Sequence, residues 1–257
     1  MISAIRAKTA FLCLFAVFAH AASAASARAE CRSAAIEGAR YAVCEFNSSD
    51  TIELFLRDGA GATLGQFDRV RDALAARGRQ LAFAMNAGMY HEDRSPVGLY
   101  VENGKELKRI STSDGPGNFS MKPNGVFYVT GKGAGVLETK QYVRRNITPR
   151  FATQSGPMLV IDGKLHPRFL VDATSHYRRN GVGVDGDRVV FAIADDPVTF
   201  HQFARAFRDV FKTPNALYLD GSICRLYAPE LNRNDFGFPL GPIVAVSVPA
   251  QQTQQTR

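Results

Sequence analysis

The stretch Asn215–Tyr227, NALYLDGSICRLY, decides how the chain is read. NALYL is a short apolar run of strand-forming residues that stops at an acid and a glycine, Asp220 and Gly221, before Ser222, Ile223, Cys224 and Arg225 follow. A buried strand ending at an ionisable group either caps a turn or opens onto a cleft where the charge meets water or a cation. Both readings stand for Asp220: a turn residue ion-paired with Arg225, or a site residue facing a cleft with Arg179 or Arg225 as its cation.

Outward from this strand, PIVAVSV (242–248) reads as a last strand, and VTFHQFARAFRDVF (198–211) places Phe200, Phe203, Ala204, Phe207 and Phe211 at helical spacing, a core-facing stripe. A second amphipathic helix is predicted over FDRVRDALAARGRQ (67–80), with Phe67, Val70 and Leu74 inward and Gly78 near its end. YAVCEF (41–46) and TIELFLRD (51–58) alternate as strands. Between the two helices, short apolar runs are cut by Asn103-Gly104, Asn124-Gly125, Asp162-Gly163, Asn180-Gly181 and Asp185-Gly186, each a hairpin signal. The fold class expected is α+β, with a large mixed, mostly antiparallel β-sheet core and two main helices.

Arg6 and Lys8 precede an apolar core at 10–19 and an Ala/Ser-rich stretch, the layout of a secretory signal peptide cut after Ala29 or, as second choice, after Ala24. The alternative is an uncleaved anchor, although the apolar core falls short of the roughly 20 residues that span a bilayer. An exported, periplasmic or secreted chain is expected, with the signal peptide at 1–29, one domain over 30–248 and a polar, flexible tail at 249–257. The formal charge of +7 falls to +4 when Arg6, Lys8 and Arg28 leave with the leader. The remaining basic residues are scattered, which argues against nucleic-acid binding. Cys13 also leaves, so Cys31 and Cys44 are expected to pair in an oxidising compartment and Cys224 to be a buried, inert thiol.

Six segments place polar groups beside glycine at the ends of apolar runs: AMNAGMY (Asn86, Gly88), GNFSMKPNGVF (Asn118, Asn124), TQSGPML (Gln154, Ser155), SHYRRNGVG (His176, Arg178, Arg179, Asn180), AIADDPVTF (Asp195, Asp196) and LYLDGS (Asp220). If these runs share one core, their tips converge. GxSxG, HExxH, CxxC and phosphate-loop patterns are absent and the histidines lack ligand spacing, so no catalytic metal is expected. Asp185 and Asp187 are the carboxylates a structural calcium would use.

Taken in order, MNAGMY, PVGLYVENGK, QSGPMLVIDGK, RRNGVG, FAIADDPVTFHQFA and NALYLDGS resemble the phosphodiester glycosidase family over roughly residues 81–246. The family includes the lysosomal uncovering enzyme and bacterial members labelled exopolysaccharide-biosynthesis-like. The resemblance puts its Asn-Gly-Gly turn on Asn86-Ala87-Gly88, its Arg-x-x-x-Gly pattern on Arg179–Gly183, its strand-ending acid on Asp195 and its Leu-Asp-Gly on Leu219–Gly221. This chain departs from the pattern at Ile223 and Cys224, where the family continues with glycine and serine, and at Asp196, where it has glycine.

The resemblance implies hydrolysis of a sugar-1-phosphodiester at its glycosidic bond in cell-envelope glycan metabolism. Asp220 would be the catalytic carboxylate, Asp195 a second acid and Arg179 the phosphate fork. Asn86, Gly88, Asn124, Ser155, His176, Gly221 and Ser222 would bind substrate. The implied partner is a small-molecule or glycan substrate carrying a sugar phosphodiester, with no cofactor and no stable membrane span. Two rivals remain: a non-catalytic periplasmic glycan or cell-wall binding module, and a metal-dependent hydrolase cutting the phosphate side of the diester.

Overall fold

Strict alternation along the strands, one residue to each side of a sheet, sorts the apolar residues into a shared core and three outer layers. The structure, a computed structural model, describes residues 30–220 and 223–250. The expected signal peptide, Gly221, Ser222 and residues 251–257 of the expected tail lie outside the described residues. In chain order the strands are β1 (Glu30–Ile36), β2 (Ala39–Asn47), β3 (Thr51–Phe55), β4 (Arg79–Asn86), β5 (Tyr100–Glu102), β6 (Lys105–Lys108), β7 (Gly125–Thr130), β8 (Gly133–Glu138) and β9 (Phe151–Ser155). There follow β10 (Met158–Ile161), β11 (Lys164–Leu165), β12 (Tyr177–Asp185), β13 (Arg188–Val198), β14 (Asn215–Tyr218), β15 (Leu226–Ala228), β16 (Arg233–Asn234) and β17 (Ile243–Pro249). The helices are α1 (Phe67–Ala75), α2 (Thr139–Arg145) and α3 (Phe200–Arg205), the last continued by a π turn, Ala206–Val210.

The strands form three sheets: β1-β2-β13-β12-β14-β10-β11, β16-β15-β4-β17-β3 and β6-β5-β9-β7-β8. Each of their pairings is antiparallel. One core draws on all three: Phe191 and Ile193 from the first, Phe83, Met85 and Val244 from the second, Tyr100 and Phe127 from the third. The alternate residues face a helix instead. Val190 and Ala192 meet Phe203 and Phe207 of the α3 segment. Ala84 and Ala245 meet Phe67, Val70 and Leu74 of α1. Val126 and Ala152 meet Tyr142 of α2. Each large apolar side chain buried this way contributes roughly 1.5–3 kcal/mol.

The α+β class and the two main helices stand as expected, with differences in detail. α1 ends at Ala75 and not at Gln80, because Gly78 turns into the left-handed region (φ 66°) and Arg79 already opens β4. α3 starts where Thr199 and Gln202 cap each other: Thr199 Oγ1 accepts from the Gln202 N–H at 3.1 Å, and Gln202 Oε1 accepts from the Thr199 N–H at 2.9 Å. The short α2 was not expected; its seven residues are too few to show a helical period.

Of the five glycine dipeptides, Asn103-Gly104, Asp162-Gly163 and Asp185-Gly186 lie at hairpin turns, with Asn103, Gly104, Asp162, Gly163 and Gly186 at positive φ. Asn124-Gly125 and Asn180-Gly181 do not. Gly125 opens β7, and Gly181 lies inside β12, where a Cβ would sit 2.8 Å from the Leu217 carbonyl oxygen on β14. Close strand approach, not a turn, requires the glycine there. Cys31 and Cys44 face each other across β1 and β2 and form a disulfide.

Candidate active site

The end of β14 is fixed from two other strands. Beyond the last β12–β14 pair, Gly181 with Tyr218, the Asn180 carbonyl accepts the Leu219 N–H at 3.1 Å and Asn180 Oδ1 accepts the Asp220 N–H at 2.8 Å. From β9, the Ser155 hydroxyl donates to the Leu219 carbonyl. Asn180 Nδ2 also donates to the Asn86 carbonyl at the tip of β4 (3.1 Å), while Asn86 Oδ1 accepts the Arg225 N–H at 3.0 Å. Asn86, Ser155 and Asn180 are fully buried, so each hydrogen bond acts without competition from water. Asn86 Nδ2 has no partner.

The half-buried Asp220 side chain reaches a cleft of about 630 Å³. Two segments supply most of its remaining lining: Tyr90, His91, Glu92 and Arg94 from a tight loop after β4, and Ser111, Ser113, Asn118 and Ser120 from the connection between β6 and β7. Buried Gln154 secures the second segment, accepting the Ser111 N–H at 2.9 Å and donating to the Ser111 carbonyl at 2.7 Å. Burial raises the Tyr90 hydroxyl pKa above its ordinary value, with the Asp220 charge adding to the effect and Arg94 opposing it. Cys224, buried as expected, donates its thiol to the Asp220 carbonyl at 3.4 Å; burial, then the Asp220 charge, pushes the thiol up to about 12.

The other described candidate residues do not line this cleft. Arg179 is 1% exposed; its Nε and Nη2 donate to the carbonyls of Val198 (2.9 Å) and Ser175 (3.1 Å), and its guanidinium lies 3.6 Å from the Phe200 ring centroid. Desolvation lowers its pKa from the usual arginine value. Arg225 donates to the carbonyls of Asp235 and Phe238 and to Gln66 Oε1. Asp195 accepts from Arg233 at 2.8 Å and from Arg178 at 3.3 Å, and Arg233 also pairs with Asp235. Asp196 is clamped by Arg40 through both oxygens, which holds its carboxyl down at about 2.

Asn124 is committed to the Phe119 carbonyl and the Thr139 hydroxyl, and so braces the segment behind Asn118. Gly88 is a packing glycine, since a Cβ there would lie 2.3 Å from Thr153 Oγ1. Exposed His176 contacts the Thr174 carbonyl through Nδ1. Gly221 and Ser222 lie outside the described residues. Among the described site candidates, Asp220 and Asn118 line the cleft.

Sequence reading did not single out Tyr90, the last residue of AMNAGMY, or His91 and Arg94, which stand between that segment and PVGLYVENGK. Among the described residues no group of three or more His, Cys, Asp or Glu is placed to hold a metal ion. Asp185 faces Arg188 at 3.5 Å, and Asp187 accepts from Ser48 Oγ at 2.9 Å. No described helix is long and apolar enough to cross a membrane.

The cleft thus combines the Asp220 carboxylate with serine, asparagine and arginine side chains, groups that hydrolases use. Residues 79–232 match the phosphodiester glycosidase family, and the chain belongs to that family, of glycosidase-type hydrolases. It is 32% identical to the uncharacterised protein YigE of Escherichia coli (strain K12) over 180 residues, 70% of each chain. Its fold is similar to that of the zebrafish N-acetylglucosamine-1-phosphodiester alpha-N-acetylglucosaminidase catalytic domain auto-inhibited by its pro-peptide. The TM-score is 0.59 at 12% identity, over 88% of this chain and 85% of that one.

Proposed function

We propose that this protein hydrolyses the glycosidic bond of a sugar-1-phosphodiester, releasing the sugar and a phosphate monoester. The single observation that carries the reading is the placement of Asp220: its backbone N–H is held by buried Asn180, the preceding carbonyl by buried Ser155, and its side chain reaches the cleft. A departing phosphate monoester, with a remaining pKa of about 6, needs no strong general acid. The site must then supply a carboxylate to activate water or attack the anomeric carbon, and donors to hold the sugar and the anion. Asp220 is the carboxylate. Ser111, Ser113, Asn118 and Ser120 offer hydroxyl and amide groups for the sugar. Asp195, between Arg178 and Arg233, is the candidate second acid. Export to the periplasm and a role in cell-envelope glycan metabolism complete the proposal.

Mass spectrometry of products from a panel of sugar-1-phosphodiesters tests it. Wild type should yield free sugar and phosphate monoester, and Asp220→Asn neither. Glycan binding without product from wild type would move the assignment to a binding module, and activity lost in chelator would favour a metal-dependent cut on the phosphate side.

A further inference from the structure

A sugar phosphodiester carries a charge that an ordinary glycoside lacks, so the cleft requires a cation. Among its described lining residues, Arg94 is the one arginine or lysine. The two buried arginines behind the site, Arg179 and Arg225, donate to carbonyls and to Gln66. We infer that Arg94, carried on the ring of Tyr90, is the anion-binding residue of the cleft and selects charged phosphodiesters over neutral glycosides; the inference rests on the function proposed above.

The loop is built to hold Arg94 in place. Arg94 has φ 70°, a left-handed conformation that costs a non-glycine residue roughly 1–2 kcal/mol. The strain is held by local bonds: Arg94 N–H to the His91 carbonyl at 2.8 Å, His91 N–H to the Ser95 carbonyl at 2.8 Å, and Asp93 Oδ1 accepting from both the N–H and the hydroxyl of Ser95. The guanidinium then lies 5.6 Å from the Tyr90 ring centroid, and its Nη1 donates to the Glu92 carbonyl at 2.9 Å. This uses one of five N–H donors and fixes the plane of the fork, the arrangement suited to bidentate phosphate contact. The Tyr90 ring packs on Gly241, where a Cβ would lie 2.4 Å from Cγ, so the platform cannot retreat. Tyr90, Arg94 and Asp220 line the same cleft, and both charges act on the Tyr90 hydroxyl, so cation and carboxylate share one site. The anomeric carbon would lie by the carboxylate and the departing phosphate by the cation.

Calorimetric titration of the mature protein with inorganic phosphate, in buffer of matched ionic strength, tests this without turnover. Wild type should bind; Arg94→Gln should weaken binding by about tenfold or more, and Arg94→Lys, which keeps the charge but loses the fork, by less. Asp220→Asn should bind phosphate at least as tightly as wild type, since a like charge is removed. In kinetics on a phosphodiester substrate, Arg94→Gln should raise KM about tenfold or more with a smaller change in kcat. Equal phosphate affinity in wild type and Arg94→Gln, or no binding to wild type, would overturn the inference. A wild type that binds phosphate through Arg94 yet hydrolyses no phosphodiester would sustain the anion site and sink the proposed reaction.

Discussion

Two regions of this molecule carry clefts of nearly the same size and bring acids to strand ends, yet they differ in what holds the acids. Around Asp220, buried serine and asparagine side chains from β9 and β12 bond the backbone on which the carboxylate stands, and Asn180 is tied in turn to the Asn86 carbonyl of β4. Around Asp187, a cleft of about 600 Å³ is bordered by Asn47, Ser48 and Asp50, whose bonds are those of a surface turn: Asp50 Oδ2 accepts the Asn47 N–H, and Ser49 bonds Asn47 Oδ1. Volume and charge alone do not separate the two. Buried polar groups that orient the backbone carrying an acid do, because burying such groups costs free energy that turn chemistry does not demand.

The largest expected effect tests this contrast directly. Asp220→Asn should lower kcat by about 10³-fold with an unchanged melting temperature, while Asp187→Asn should leave kcat unaltered; comparable losses from both would erase the distinction. Next, the Cys31→Ser, Cys44→Ser pair should cost about 3 kcal/mol in denaturant unfolding, since the bridge closes a loop of 13 residues in the unfolded chain, with kcat of the folded fraction preserved. Asn180→Ala should cost about 2 kcal/mol by leaving the Asp220 N–H and the Asn86 carbonyl unpaired, and should lower kcat as well. A stability loss with kcat intact would show that Asn180 packs but does not position.

The smallest effect concerns pH. His166 is buried, stacked on Phe169, and its Nε2 has no partner; desolvation, helped by Arg168, lowers its pKa from 6.5 to about 4. The unfolded chain therefore takes up a proton that the folded chain refuses between those values. The stability that neutral His166 contributes is complete above pH 6.5 and is lost as pH falls toward 4. Melting curves of His166→Phe across that window should slope less than those of wild type, and parallel curves would refute it.

Much of this was legible in the sequence. Periodicity gave the two main helices and their inward phenylalanines, and the ordered motifs pointed to the family. Turn chemistry was read correctly at Asn103, Asp162 and Asp185, where the dipeptide acts locally. It misled at Asn124 and Asn180, whose glycines answer to close packing by Met158 and by the Leu217 carbonyl, both remote in sequence. The same remoteness hid Arg233, 38 residues from its partner Asp195. Arg94 was hidden for another reason: an aperiodic loop carries no pattern, and its meaning lies in a positive φ and a contact with the Tyr90 ring.

The clamp on the residues that end β14 has a temporal consequence. Asn180 belongs to the seven-stranded sheet and Ser155 to the sheet of β6-β5-β9-β7-β8, so Asp220 gains its address only after two separately hydrogen-bonded sheets have docked. A chain still emerging, or one halted with a sheet undocked, carries the acid but not its aim. On the function proposed above, such a chain is inactive until assembly is complete.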